Sequence, residues 1–272
     1  MNIEEQYEKA TQLREDILHM VYKSQSGHIG GSFSCLEILM ALYYNVINVD
    51  SKNPHWEDRD RVILSKGHAC PALYAILADL GFFSREDLWD LRQIDSHLQG
   101  HPDMNKTLGV DVNTGSLGQG VSVAGGMAMA AKYKKKNYQV FAIIGDGEVQ
   151  EGLVWEAAMS AAHFHLDNLT VILDYNGLQL DGSNAEIMDI SNIMEKYRAF
   201  GFECYEADGH NIEEIVKKVK KPHNGKPKFI CCHTHKGYGV SFMEDNVDWH
   251  GKAPNKSQYV QAMKELGVDI HE

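Results

Sequence analysis

Ile3, Tyr7, Ala10, Leu13, Ile17 and Met20 recur at steps of three and four residues, the stripe that an amphipathic helix buries on one side. A glycine-bearing link, SGHIGGSFS, follows, and CLEILMALYYNVI then reads as a second helix opened by a capping-box pair, Ser34 and Glu37. RVILSKGHA reads as a short strand at 61–64, mostly apolar, followed by a turn. PALYAILADLG predicts a helix with Pro71 at its start and Gly81 at its stop. Residues 82–113 are polar and irregular. TGSLGQGVSVAGGMAMAAKYKKK then reads as a glycine-rich loop entering a helix of small residues, which implies tight packing and ends in lysines as the helix dipole favours.

From residue 139 the pattern becomes regular. Strands are expected at 139–144, 169–173, 202–206 and 228–232, with helices at about 153–165, 190–200 and 212–219 between them. KSQYVQAMKELGVDIHE closes the chain as a polar helix and tail. Such alternation predicts an α/β fold, a doubly wound, mostly parallel sheet with helices on both faces and right-handed crossovers. Ligands of these sheets sit at the carboxyl ends of the strands. No repeat or linker divides the chain, so residues 1–272 read as one domain.

Composition narrows the partners. A formal net charge of -12 disfavours nucleic acid and anionic membrane surfaces, so any phosphate must be held by local groups. Five cysteines in no regular framework predict reduced thiols and a cytoplasmic setting. The charged N-terminus lacks the apolar core of a secretory signal, and no window reaches the roughly 18 apolar residues of a membrane span.

Two features carry candidate chemistry. In IIGDGEVQEG, Asp146 lies between Gly145 and Gly147 at the end of an apolar run, and Asn176 follows the next one. A parallel sheet would bring both to one edge, where carboxylate, amide and carbonyl oxygens suit Mg or Ca rather than Zn. Read without that context, the same GDG is a strand-to-helix turn with an Asp cap. The second feature is His28, His68, His101 and His250, each beside a glycine. Histidines in such turns can line a cleft, bind hydroxyls and move protons near neutral pH. His19, His55, His163, His165, His210, His223 and His271 have no such setting and read as packing or surface residues. Cys231-Cys232-His233-Thr234-His235 lacks zinc spacing, and alternation along a strand would point neighbouring side chains to opposite faces. There is no GxSxG elbow, and GSLGQG is not a dinucleotide GxGxxG.

Seven motifs between about residues 24 and 254 now stand in one order: SGHIGGSFS, LSKGHACPALYA, QGHPD, NTGSLGQGVS, IIGDGEVQEG, LDYNGLQLDG and WHGKAP. In that order the chain resembles the N-terminal half of the transketolase family, which binds thiamine diphosphate. The resemblance implies a divalent metal, Mg or else Ca or Mn, on Asp146, Asn176 and the carbonyl of Leu178. It assigns Gly145, Gly147, His68 and His250 to the diphosphate, and Gly115, Ser116, Leu117 and Leu180 to the rest of the cofactor. Glu151 would belong to an acidic relay between active sites, and His28, His68, His101 and His250 would contact substrate or assist proton transfer. Ile29 and Ser116 stand where many members have proline, and Gly177 where another residue is common. SKGHA differs from the pattern of deoxyxylulose phosphate synthases, and 2-oxo acid dehydrogenase alpha chains lack this histidine set.

The family's pyrimidine-binding and C-terminal domains do not follow in this sequence. The resemblance therefore implies one subunit of a split transketolase, or a truncated form. Two copies each of this chain and a C-terminal subunit would then share the site, the partner supplying the pyrimidine-binding domain and the activating glutamate. Sugars would be the substrates, with no nucleic acid and no membrane. The alternatives are a deoxyxylulose phosphate synthase-like carboligase and a catalytically silent cofactor-binding subunit.

Overall fold

The structure is a computed structural model and describes residues 2–268. His271 and the end of the predicted tail lie outside the described residues. In chain order the elements are α1 (Ile3–Ser24), α2 (Ile29–Ser34), α3 (Leu36–Asn45), β1 (Arg61–Leu64), α4 (Cys70–Asp79) and α5 (Gln119–Tyr133). They continue with β2 (Val140–Gly145), α6 (Gly152–His163), β3 (Leu169–Tyr175), α7 (Asn184–Ile187) and α8 (Ile193–Phe200). β4 (Glu203–Asp208), α9 (Ile212–Val219), β5 (Lys228–His233) and α10 (Lys256–Glu265) complete the order.

The five strands pair in parallel in the order β1-β2-β3-β5-β4. Successive residues of each strand enter different cores. Phe141 and Ile143 of β2, with Ile230 and Cys232 of β5, pack against α1, α3, α4 and α9. Ala142, Ile144, Phe229 and Cys231 face α5, α6 and α8. Both faces of the inner strands β2, β3 and β5 are therefore largely dry, as a parallel sheet covered on two sides requires. The two adjacent cysteines consequently lie in separate cores, and the thiols do not converge.

Two local expectations are corrected. SGHIGGSFS is not a link, because Ile29–Ser34 is helical and wholly buried. Glycine disfavours helix by roughly 1 kcal/mol, yet a Cβ on Gly30 would stand 2.8 Å from the carbonyl oxygen of Trp249. Close approach, not propensity, selects glycine there. Nor do Ser34 and Glu37 form a capping box. Ser34 Oγ donates to Asp174 Oδ2 at 2.6 Å, and Glu37 pairs with Arg14 at 2.5 Å. Tight packing of the small-residue helix α5 holds on its inner side only. A Cβ on Gly120 would reach within 2.5 Å of Ser65 Oγ, whereas Gly125 and Gly126 meet nothing within 4 Å.

Candidate active site

The register of β2 and β3 sets Gly145 opposite Asp174. Asp146 and Asn176 therefore emerge side by side at the carboxyl end of the sheet. Asp146 is 3% exposed. Its Oδ2 accepts from the Gly177 amide at 2.6 Å and from Asn184 Nδ2 at 2.9 Å. Its Oδ1 is buried with no hydrogen-bond partner among the described residues. A buried carboxylate oxygen left unpaired costs on the order of 1–3 kcal/mol or more, so its chemistry fits a cation ligand. Among the described residues Asn176 Oδ1 accepts only the Leu178 amide, at 3.1 Å, so its second lone pair can serve the same centre.

These groups border a cavity of about 250 Å³. Of the predicted residues, His68, Leu117, Gly145, Asp146, Gly147, Asn176, Leu178, Leu180 and His250 line it, with Leu180 exposed at the rim. A larger cleft of about 470 Å³, beside Trp155 and Phe200, contains none of the predicted site residues. No group of three or more His, Cys, Asp or Glu side chains able to hold a metal occurs among the described residues. The donor set is thus one carboxylate, one amide and a backbone carbonyl, which suits a hard cation that keeps further oxygen ligands from a phosphate.

Local cations that could meet a phosphate are present, and the sequence reading did not select them. Lys66 and Lys236 line the cavity and are each 2% exposed. Lys66 Nζ pairs with Asp174 and donates to the Gly31 carbonyl at 3.1 Å. Burial is the largest influence and opposes its charge, but Asp174, Cys35 and Asp146 together outweigh it and push Lys66 up to about 12. Lys236 has no carboxylate partner among the described residues. Burial, and then the charge on Lys66, bring it down to about 8. Both lysines sit beside a glycine turn just past a strand, the signal that singled out the histidines.

Three of the four histidines converge. The ring centroids of His28, His68 and His250 lie 5.2–5.4 Å from one another. Burial, reinforced by Arg92, Lys66 and Lys236, lowers His28 and His250 to about 4 and holds His68 well below its usual value. All three are therefore neutral at physiological pH. His28 Nδ1 is buried without a hydrogen-bond partner among the described residues. His101 stands beside them on an exposed turn rather than lining the cavity, and a Cβ on Gly115 would come within 2.8 Å of its ring. Gly115 has φ of 136°, so its backbone turns where other residues rarely go. Ser116 and Glu151 are exposed and also lie off the cavity lining.

Of the two glutamates in this motif, the buried one is Glu148. Its Oε1 accepts from Ser65 Oγ and from the Gly118 amide at 2.8 Å, and its Oε2 accepts from the Gly145 amide at 3.2 Å. One side chain thus ties together the loops after β1 and β2 and the loop before α5. Its role depends on distant partners that no local pattern reveals.

Burial raises Asp146 to about 7, from 3.8. The folded chain therefore holds a proton that the unfolded chain has lost between those values. The stability associated with this carboxyl is fully present below pH 3.8 and is lost as pH rises through about 7. At about 1.4 kcal/mol per unit the limit is roughly 4 kcal/mol. In thermal melts of the metal-free chain, Asp146→Asn is expected to gain on wild type steadily across this window. Parallel melting profiles would exclude a strained carboxylate.

Comparison with known proteins agrees with this geometry. Residues 6–272 match the family model described as transketolase, thiamine diphosphate binding domain. The chain is 42% identical over 259 residues to an apulose-4-phosphate transketolase subunit of Phocaeicola vulgatus, covering 94% of this chain and 92% of that protein. It is 44% identical over 260 residues to the 6-deoxy-6-sulfo-D-fructose transketolase subunit SqwG of a Clostridium species, covering 95% and 94%. Among solved structures, the transketolase of Campylobacter jejuni superposes with a TM-score of 0.92 at 34% identity, over 99% of this chain and 44% of that one. A chain with this fold, this cavity and these relatives belongs to the transketolase family and carries its thiamine diphosphate binding domain.

Proposed function

We propose that this chain is the N-terminal subunit of a thiamine diphosphate-dependent transketolase, moving a two-carbon ketol unit from an anionic ketose to an aldose. The observation that carries the reading is Asp146, whose unpaired buried oxygen faces a cavity that also receives two buried lysines. Asp146, Asn176 and the Leu178 carbonyl would hold Mg or a similar cation. Lys66, Lys236, His68, His250 and Gly147 would bind the diphosphate. When bound, the cofactor supplies the nucleophilic carbon and the electron sink that ketol transfer needs.

The protein's own part is orientation and proton handling. Neutral His28, His68 and His250 can donate to or accept from a sugar oxygen without adding charge to the cavity. His28 Nδ1, buried and without a hydrogen-bond partner among the described residues, is a ring atom able to do so. His101 lies at the mouth and would meet substrate there.

The relatives of matching length are named as subunits, which supports a partner chain. We assign to that partner the pyrimidine-binding domain and the activating glutamate, in an assembly with two copies of each chain. The outer sides of α5 and α6 support this assembly: Gly125, Gly126 and Gly152 meet nothing within 4 Å, and Tyr133, Met159 and Phe164 are exposed. Glu151, exposed at the residue before α6, is the acid to which we assign the relay. A cytoplasmic setting is consistent with five free thiols. No described helix is long and apolar enough to cross a membrane.

The test is ketol transfer by the purified chain alone and after mixing with its C-terminal partner. Because the activating glutamate assigned to the partner is a general acid–base group, mixing is expected to raise turnover by at least about a hundredfold. Cofactor binding with no turnover in the mixture would instead indicate a silent subunit.

A further inference from the structure

Away from the cavity, β4 ends in a turn, Asp208-Gly209-His210, that lies against the exit of β5. The two backbones touch: the Gly209 amide donates to the His233 carbonyl at 2.7 Å, and a Cβ on Gly209 would stand 2.2 Å from Thr234 Cγ2. His210 is 8% exposed, and its ring stacks on Tyr238 with centroids 3.6 Å apart. Its Nε2 accepts the backbone N–H of His235 at 2.9 Å. An amide can donate only to an unprotonated ring nitrogen, so the proton of His210 is on Nδ1. That nitrogen donates to Glu37 Oε2 at 3.0 Å. Glu37, 1% exposed, is held in turn by Arg14, whose Nε also donates to the Tyr238 carbonyl at 2.9 Å.

Arg14, Glu37 and His210 therefore grip the strand exit on both sides of a two-residue segment, at His235 and at Tyr238. Between them stand Gly237 and Lys236, and Lys236 Nζ reaches His250 Nδ1 at 3.1 Å within the cavity. We infer that His210 is a positioning residue: its tautomer, set by Glu37 and Arg14, fixes the His235 amide and so aims the Lys236 ammonium at the diphosphate. This rests on the proposed cofactor reading. It assigns a purpose to a histidine that the sequence pattern left as packing, and it extends the site to a buried relay reaching α1 and α3.

The test titrates magnesium pyrophosphate onto the full chain by calorimetry, alongside thermal melts. His210→Asn retains a donor near the Nδ1 position for Glu37 but loses the acceptor for His235. His210→Gln places an acceptor near the Nε2 position and loses the donor. Asn is expected to weaken pyrophosphate about tenfold and Gln no more than about twofold, and the Asn effect is expected to vanish in a Lys236→Ala background. Losses that are additive with Lys236→Ala, or that follow the melting temperature equally in Asn and Gln, would overturn the inference. A wild-type chain that binds no magnesium pyrophosphate would remove the cofactor reading and this inference together, whereas binding with additive losses removes this inference alone.

Discussion

Replacing Asp146 with alanine is expected to abolish metal-dependent binding of thiamine diphosphate while leaving the far-UV circular dichroism unchanged. The side chain is the one carboxylate in the donor set, and its Oδ1 has no other partner among the described residues. Asn176 and a carbonyl alone are neutral donors and hold a hard divalent cation poorly. Loss of a first ligand should cost at least the tenfold to hundredfold that outer-shell changes cost, so we expect about a hundredfold or more. A cofactor titration that is unchanged in Asp146→Ala, with Mg present, would end the ligand assignment. Asp146→Asn separates the two roles of the group. It preserves an acceptor for the Gly177 amide and Asn184 while removing the charge.

The second large effect is on stability. Lys66 and Asp174 form an ion pair with side chains 3% and 0% exposed. Lys66→Met would leave Asp174 charged in the core, with Ser34 Oγ at 2.6 Å and Thr234 Oγ1 as its remaining partners. Breaking a buried pair on one side typically costs about 3–5 kcal/mol, a large share of the stability of any domain. Urea denaturation should show the midpoint falling with little change in slope. The Lys66 contribution is fully present below its unfolded value of 10.5 and is lost only as pH rises through about 12, so the penalty should be flat across neutral pH. A midpoint within experimental error of wild type would mean that Asp174 is not charged in the folded chain.

Much of this architecture was legible along the chain, for physical reasons. β1 and α9 match the expected ranges because each has an unambiguous local signature: a short apolar run in one case, and apolar Ile212, Ile215 and Val219 at helical spacing in the other. Asp146 and Asn176 come together because each stands just past a strand, and a parallel sheet brings strand ends to one edge whatever their separation in sequence. α2 was misread because its glycines answer to neighbours distant in sequence, Trp249 and the two cavity lysines, rather than to helix propensity. Lys66 and Asp174 are 108 residues apart, and nothing local to either announces the other. Glu148 escaped for the same reason, and Glu151, prominent in sequence, proves to stand on the surface.

The uncovered sides of α5 and α6 also bear on how the chain is made. Tyr133 is 89% exposed, Met159 59% and Phe164 51%. Apolar groups displayed in this way are signals for chaperones and proteases, and they favour aggregation at high concentration. A cell that synthesises this chain in excess of whatever covers those helices would carry a pool that is folded yet adhesive. Matched synthesis of the two subunits would then serve solubility before it serves catalysis.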